Sequence, residues 1–191
     1  MTEQKESKQS VIDRTIDKIG SRAKEASLEL ARATTSGKDR ALVSAAHGLE
    51  AATSDLIEAN KADLAQAGAE GISGALLDRL RLTPQRVAGM AAGLRQVAGL
   101  ADPVGEVTEG FTRPNGLRMT RVRVPLGVVA VIYEARPNVT ADAAALCLKS
   151  GNAALLRGSS YALRSNLAIG TVIRSEISAA GLPADEVQVV E

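Results

Sequence analysis

From Pro125 onward, short apolar runs alternate with segments of helical period. Val128–Ile132 is an unbroken, β-branched run, the pattern of a parallel strand covered on both faces. It stops at Tyr133 and Glu134, and an alanine-rich stretch over 140–149 predicts a helix. Ala153–Leu156 repeats the strand and gives way to Arg157, Gly158, Ser159 and Ser160, after which a helix over 161–180 and a strand over 187–190 are predicted. Gly151 and Gly181 fall where helix C-caps belong. A strand–helix–strand unit with a short crossover is right-handed and parallel. Both polar loops therefore open at the same carboxyl edge, where such sheets bind ligands.

Upstream the period is helical. Ile12, Ile16, Ile19 and Ala23 predict a marginal amphipathic helix at the end of a polar tail, residues 1–19. Leu42, Ala45, Leu49, Ala52, Leu56 and Ala59 form one stripe, the packed face of a long helix whose alanines imply close approach. Thr83 before Pro84 is a helix start, continued by Val87, Met90, Leu94 and Val97. Residues 20–103 read as a helical region interrupted by a loop over Gly68–Gly74. Near Asp102 the period shortens, and Val104–Phe111 and Leu117–Val124 read as a hairpin joined by Arg113, Pro114, Asn115 and Gly116. Arg121 and Arg123 share a face with Leu117 and Met119, so that face is expected to be covered by another subunit or buried at one end only. The hairpin occupies 104–124, and 125–191 is the first βαβαβ half of a dinucleotide fold. The fold class is α/β: a helical amino-terminal layer and a β-hairpin, then half of a Rossmann-like parallel sheet. A sheet ending at Val190 leaves an open apolar edge, so the chain reads as incomplete.

Composition narrows the function. Of 191 residues 45% are apolar, enough for a sizeable core. The formal net charge is +1, with 14 basic and 14 acidic side chains over 1–103 and 9 and 8 over 104–191. Neither half offers a basic face, and aromatics at 2% leave no stacking platform, which argues against nucleic acid. The arginine cluster at 113, 118, 121 and 123 is expected to face Glu106 and Glu109. No run approaches membrane-spanning length and the start has no hydrophobic leader, so a cytoplasmic location is expected. The single Cys147 permits no internal disulfide. No Cys/His cluster suggests a metal site.

The Gly-x-Gly-x-x-Gly fingerprint is absent, but VPLGVVAVIYEARPNVTADAAALCLKSGNAALLRGSS, LLDRLRLTPQRVAGMAAGL and ADPVGEV together resemble the amino-terminal half of the gamma-glutamyl phosphate reductase family, within the aldehyde dehydrogenase superfamily. The resemblance covers about residues 20–191, and YEARPNVT is its distinctive part. Arg157 stands where ordinary aldehyde dehydrogenases carry a lysine. The resemblance implies NADPH-dependent reduction of L-glutamyl 5-phosphate to L-glutamate 5-semialdehyde with release of phosphate, in proline biosynthesis. It also implies a homo-oligomer joined through the hairpin, and an association with the upstream glutamate kinase. The alternatives are a truncated, non-catalytic nucleotide-binding or subunit-interaction fragment, and another acyl-phosphate reductase of the superfamily.

By resemblance, Asn138 donates to the oxyanion formed on thiolate attack, a role that needs a fixed, uncharged donor. Pro137-Asn138 would otherwise merely cap a helix starting near Thr140. Arg136 and Glu134 are the substrate-binding candidates, or else a loop brace in which the two pair. Tyr133, Arg157, Gly158, Ser159 and Ser160 are expected at the cofactor, with Arg157 at the 2′-phosphate; otherwise Ser159 or Ser160 caps the helix from Tyr161. The family nucleophile, a cysteine thiolate, is expected beyond Glu191. Cys147, mid-helix between Leu146 and Leu148, reads as a buried structural thiol, and the 191-residue chain alone is expected to be inactive. Lys149 reads as a solvated charge at a helix end, and His47 as structural.

Overall fold

The computed structural model describes residues 2–191, with side chains from residue 12 onward. Helix α1 (Thr2–Leu30) is followed by α2 (Thr35–Ala51), α3 (Thr53–Ala69), α4 (Gly74–Leu80) and α5 (Pro84–Ala98). The hairpin is β1 (Val107–Thr112) and β2 (Arg118–Val122), and the sheet region runs β3 (Val128–Ile132), α6 (Asn138–Lys149), β4 (Ala153–Arg157), α7 (Leu163–Ala179), β5 (Val187–Val189). The isoleucines from Ile12 and the start of the helical region belong to one continuous helix, α1, which passes through residue 19 without a break.

The stripe that predicted one helix over 42–59 belongs to two, α2 and α3, which meet at Ala52. The break has a local cause. The Thr53 hydroxyl donates to the carbonyl of Glu50 at 2.7 Å, competing with the regular ladder. The start expected at Thr83 is present, where Thr83 accepts from the Arg86 N–H at 3.2 Å with Pro84 opening α5; α2 has a cap the sequence reading did not name, Thr34, which accepts from the Gly37 N–H at 3.1 Å. Gly151 ends α6 with φ of +75°, and the paired returns from Gly151 N–H to Leu148 O and Asn152 N–H to Cys147 O satisfy the last carbonyls.

Strands β3, β4 and β5 form a parallel sheet in that order, with Ala130 opposite Leu155 and Leu155 opposite Gln188. Because both crossovers run in the same direction, α6 and α7 fall on the same face. That face, Val129, Val131, Ala154, Leu156 and Val187, packs against Leu42, Leu49, Leu94, Leu148, Ile169 and Ile173 from α2, α5, α6 and α7. The opposite face is covered by α1, whose Ile19 carbonyl accepts from Gln188 Nε2 at 3.2 Å. Arg22 of α1 donates to Asp185 at 2.9 Å through Nε. Strand β3 departs from the expected burial on both faces. It is an edge strand, with Ala130 exposed and Ile132 84% exposed, because α1 does not reach the end of it.

The hairpin stands away from the body, and all residues of both strands are exposed. It is not folded over its own domain. Its turn places Pro114 and Asn115 in a tight bend closed by Gly116 N–H to Arg113 O at 2.8 Å, with Gly116 at φ of +85° and Asn115 in an ordinary negative-φ conformation. This is the three-residue turn with a glycine bulge, not the two-residue Asn-Gly turn. Arg121 pairs with Glu109 at 3.1 Å and Arg123 with Glu106 at 3.2 Å, as their charges suggested.

Lys149 is not solvated. It is 3% exposed, donates to Asp39 and to the Ala98 carbonyl at 2.8 Å, and so closes the C-terminus of α5. Beside it Lys38, also buried, donates to the Lys149 carbonyl at 3.2 Å and pairs with Asp102. Burial pushes the Asp102 carboxyl upward, but Lys38, the Val104 N–H and the Thr35 hydroxyl outweigh it and hold the group below its ordinary range. Lys38→Met should cost about 3 kcal/mol, because it leaves Asp102 charged and without a counter-charge in a mostly buried site, held only by the Thr35 hydroxyl and the Val104 N–H. Denaturant unfolding of the chain checks this, and a loss within a few tenths would show that water replaces the ammonium. His47 lies exposed on α2.

Candidate functional site

The carboxyl edge of the sheet carries two loops, after β3 and after β4. In the first, Glu134 O accepts from Arg136 N–H at 2.8 Å, folding the backbone so that Pro137 leads directly into α6. Pro137 has no hydrogen to donate and fits the helix entry. Asn138 opens the helix but does not cap it: its Nδ2 donates to Asp142 Oδ2 at 3.1 Å, one turn on. The amide is thus held by a carboxylate, with one N–H left over on an exposed residue. Among the described residues no ion pair joins Arg136 to Glu134, so the loop brace is not formed.

Arg136, Asn138 and Asp142 form one wall of a cavity of about 560 Å³. The other wall is the corner between α4 and α5, which contributes Arg79, Arg81 and Arg86. The positive end of α6 faces the same space. Among the described residues only Arg86 of the four arginines is committed, to the carboxylate of Asp78 at 2.9 Å and to the carbonyls of Asp78 and Arg81. Glu134 lines a neighbouring, more apolar cavity of about 440 Å³ with Ile72, Leu76 and Ser159, and Arg79 borders both.

The second loop is set by close packing. A side chain at Gly158 would meet Asn166 Nδ2 at 2.2 Å and Tyr133 Cε2 at 2.9 Å, so only glycine lets the strand, the ring and α7 approach this closely. Tyr133 is braced rather than free: its hydroxyl hydrogen-bonds Thr140 Oγ1 at 2.7 Å, which donates on to Asn166 Oδ1 at 3.0 Å. Burial raises the Tyr133 pKa, and the Thr140 bond and the nearby Arg157 charge offset only part of that. Ser159 accepts from the Tyr161 N–H at 3.3 Å and caps the short 3₁₀ turn Ser160–Ala162, whereas Ser160 is exposed. Arg157 is half-buried and donates to the Gly158 carbonyl at 2.9 Å, with no acidic partner among the described residues.

The sheet thus brings Asn138 and Arg136 together and keeps Arg157, Ser159 and Ser160 on the adjoining loop. Reading the sequence did not single out Arg79, Arg81 or Asp142. Only the i, i+4 spacing of Asn138 and Asp142 could have signalled their contact. Cys147 is 8% exposed on the core side of α6, and burial pushes its thiol pKa up, the reverse of what a nucleophile needs. Among the described residues no three His, Cys, Asp or Glu side chains gather as metal ligands, and no helix is long and apolar enough to cross a membrane.

No protein-family model matches this sequence. Among solved structures, gamma-glutamyl phosphate reductase from Thermotoga maritima superposes with a TM-score of 0.89 and 41% identity, covering 92% of this chain and 42% of that one. The reductase of the same name from Saccharomyces cerevisiae gives 0.85 and 34%, covering 91% of this chain and 45% of that one. The chain therefore spans less than half the length of either. An aldehyde dehydrogenase from Brucella melitensis, at 23% identity and a TM-score of 0.71, shares the fold. The chain is homologous to the amino-terminal portion of the gamma-glutamyl phosphate reductases, in the aldehyde dehydrogenase superfamily.

Proposed function

We propose that this chain serves the NADPH-dependent reduction of L-glutamyl 5-phosphate to L-glutamate 5-semialdehyde and phosphate. The observation that carries the reading is the wall formed by Arg136 and Asn138 at the carboxyl edge of the sheet, in a chain 41% identical to a reductase of that name. Asn138 is the donor to the oxyanion that develops when a thiolate attacks the acyl carbon, and Asp142 fixes the amide in advance. Arg136, without an acidic partner, takes the departing phosphate through its planar fork. Cys147 is unfit as the nucleophile, so the thiolate comes from outside these 191 residues, and the chain alone does not catalyse the reduction.

Arg157 suits a 2′-phosphate: it is held by a carbonyl, carries no carboxylate and stands at the end of β4. Bound there, the dinucleotide supplies the hydride, and Gly158 with the capped Ser159 turn shapes the backbone beside it. The exposed hairpin, with Phe111, Met119 and Val122 bare, is the element through which a homo-oligomer forms. A catalytically competent protein carrying this chain should form NADPH from the semialdehyde, phosphate and NADP, and should not do so when phosphate is omitted. Phosphate-independent oxidation would point to an ordinary aldehyde dehydrogenase instead. Arg157→Ala should raise the KM for NADPH roughly tenfold or more, a loss of about 1.5 kcal/mol or more, with little change for NADH. Equal effects on both cofactors would remove Arg157 from the phosphate.

A further inference from the structure

We infer that Arg79 and Arg81 form a preorganised clamp for the α-carboxylate of an amino-acid acyl phosphate, across the cavity from Arg136 and Asn138. The inference rests on the reductase reading above and extends it to the end of the substrate that does not react.

The segment 79–82 alternates outward and inward. Leu80 and Leu82 are buried, and Arg79 and Arg81 between and beside them are exposed into the cavity. The backbone that aims the two arginines is fixed from three sides. Asn60, itself 1% exposed, donates from Nδ2 to the Leu80 carbonyl at 2.8 Å and accepts at Oδ1 from the Leu82 N–H at 2.7 Å. The same amide donates to Ser165 Oγ at 3.0 Å, and Ser165 Oγ donates to the buried Asp63 at 2.7 Å, tying the corner to the start of α7. From the solvent side Arg86 holds the carbonyls of Asp78 and Arg81. A segment anchored this firmly presents its two guanidinium groups without having to order itself on binding.

Neither guanidinium has a hydrogen bond or ion pair among the described residues, although acidic groups line the same cavity. Those acids are engaged elsewhere, Asp78 by Arg86 and Asp142 by Asn138. Four arginines against two aspartates leave the lining with an excess of two positive charges. That charge suits a ligand with more than one anionic group. The reacting acyl carbon belongs beside Asn138, and its phosphate beside Arg136, only two residues away. A carboxylate at the far end of a short aliphatic chain then reaches the opposite wall, where a planar fork binds it bidentately. The clamp would select an amino-acid acyl phosphate over a neutral aldehyde, since two unpaired arginines give nothing to a ligand without a charge.

The test uses the 191-residue chain with two probes, L-glutamine, which has the α-carboxylate and an uncharged γ-acyl group, and inorganic phosphate. Binding is followed through the arginine side-chain N–H signals in NMR titrations. Wild-type chain should bind L-glutamine saturably and shift the Arg79 and Arg81 signals. The double variant R79Q/R81Q should weaken L-glutamine roughly tenfold or more and phosphate by much less, with unfolding within about 0.5 kcal/mol of wild type, as for exposed unpaired side chains. Absence of saturable L-glutamine binding, an unchanged affinity in the double variant, or loss of phosphate in place of L-glutamine would each overturn the clamp. In a competent enzyme the same double variant should raise the KM for the semialdehyde with kcat little changed. An active wild type whose KM ignores the two substitutions sinks the clamp and leaves the reductase reading intact. A longer protein that carries this chain together with a nucleophilic cysteine, binds L-glutamine at these arginines and still does not oxidise the semialdehyde sinks the reading instead.

Discussion

Asn138→Ala, in a catalytically competent protein carrying this chain, is expected to lower turnover by about 10² to 10³ with no fall in melting temperature. Both halves of that result follow from the geometry. Asn138 is exposed, accepts nothing from the α6 backbone, and makes its one side-chain bond to Asp142 on the same helix. Losing such a pair changes helix stability by a few tenths of a kcal/mol at most. An oxyanion donor, by contrast, acts on charge that exists only during reaction, so its loss falls on kcat and spares cofactor binding. Steady-state kinetics and thermal unfolding on the same preparations separate the two readings. Normal turnover with a lowered melting temperature would return Asn138 to a structural role.

Glu186→Gln is expected to stabilise the chain on the order of 2 to 4 kcal/mol above pH 8 and to change nothing near pH 4. Glu186 is 1% exposed, and neither carboxylate oxygen has a partner among the described residues. Burial pushes its pKa up to about 8. The folded chain therefore keeps a proton that the unfolded chain releases near its ordinary value of 4.5. Stability is greatest below that value and declines as pH rises, by up to about 1.4 kcal/mol per unit, until the folded group ionises. The adjoining Asp185 works in the opposite sense. The Arg22 bond, ahead of that from Arg174, holds it below the usual carboxylate range, so its contribution is lost only as pH falls through the acid region. Denaturant unfolding from pH 4 to 9 reads both. An identical pH profile in the Gln variant would mean that Glu186 finds water or a counter-charge when it ionises.

The sheet region was legible because its signals are local. Apolar runs of strand length, alanine-rich helical stretches and glycines at Gly151 and Gly181 each act within a few residues, and together they fix β3, α6, β4, α7 and β5. The break at Ala52 was hidden because the apolar stripe runs on through it, and only the Thr53 hydroxyl marks the place. Lys149 looked solvated because a lysine at a helix end normally is; its partners, Asp39 and Ala98, lie far away in the sequence. The arginine corner was invisible for the same reason. In DRLRLT the spacing shows only mixed polarity, and Asn60, which sets the direction of Arg79 and Arg81, is about twenty residues upstream. The sequence offered Arg136 two partners, and only the fold removes one of them.

The placement of α1 has a consequence for synthesis. Its docking partners, Asp185 and Gln188, lie 163 and 169 residues after Arg22 and Ile19, so α1 is synthesised well before the part of the sheet region that holds it. Until β5 has been made it has no complete three-stranded sheet to cover. A strongly apolar helix in that position would recruit other chains while it waited. The fully buried part of its docking face is instead built from Ala23, Ala26, Ser27 and Leu30, so that part offers little apolar surface before the sheet exists. The small residues that let α1 lie close to the strands thus also limit what that face can attract while it waits.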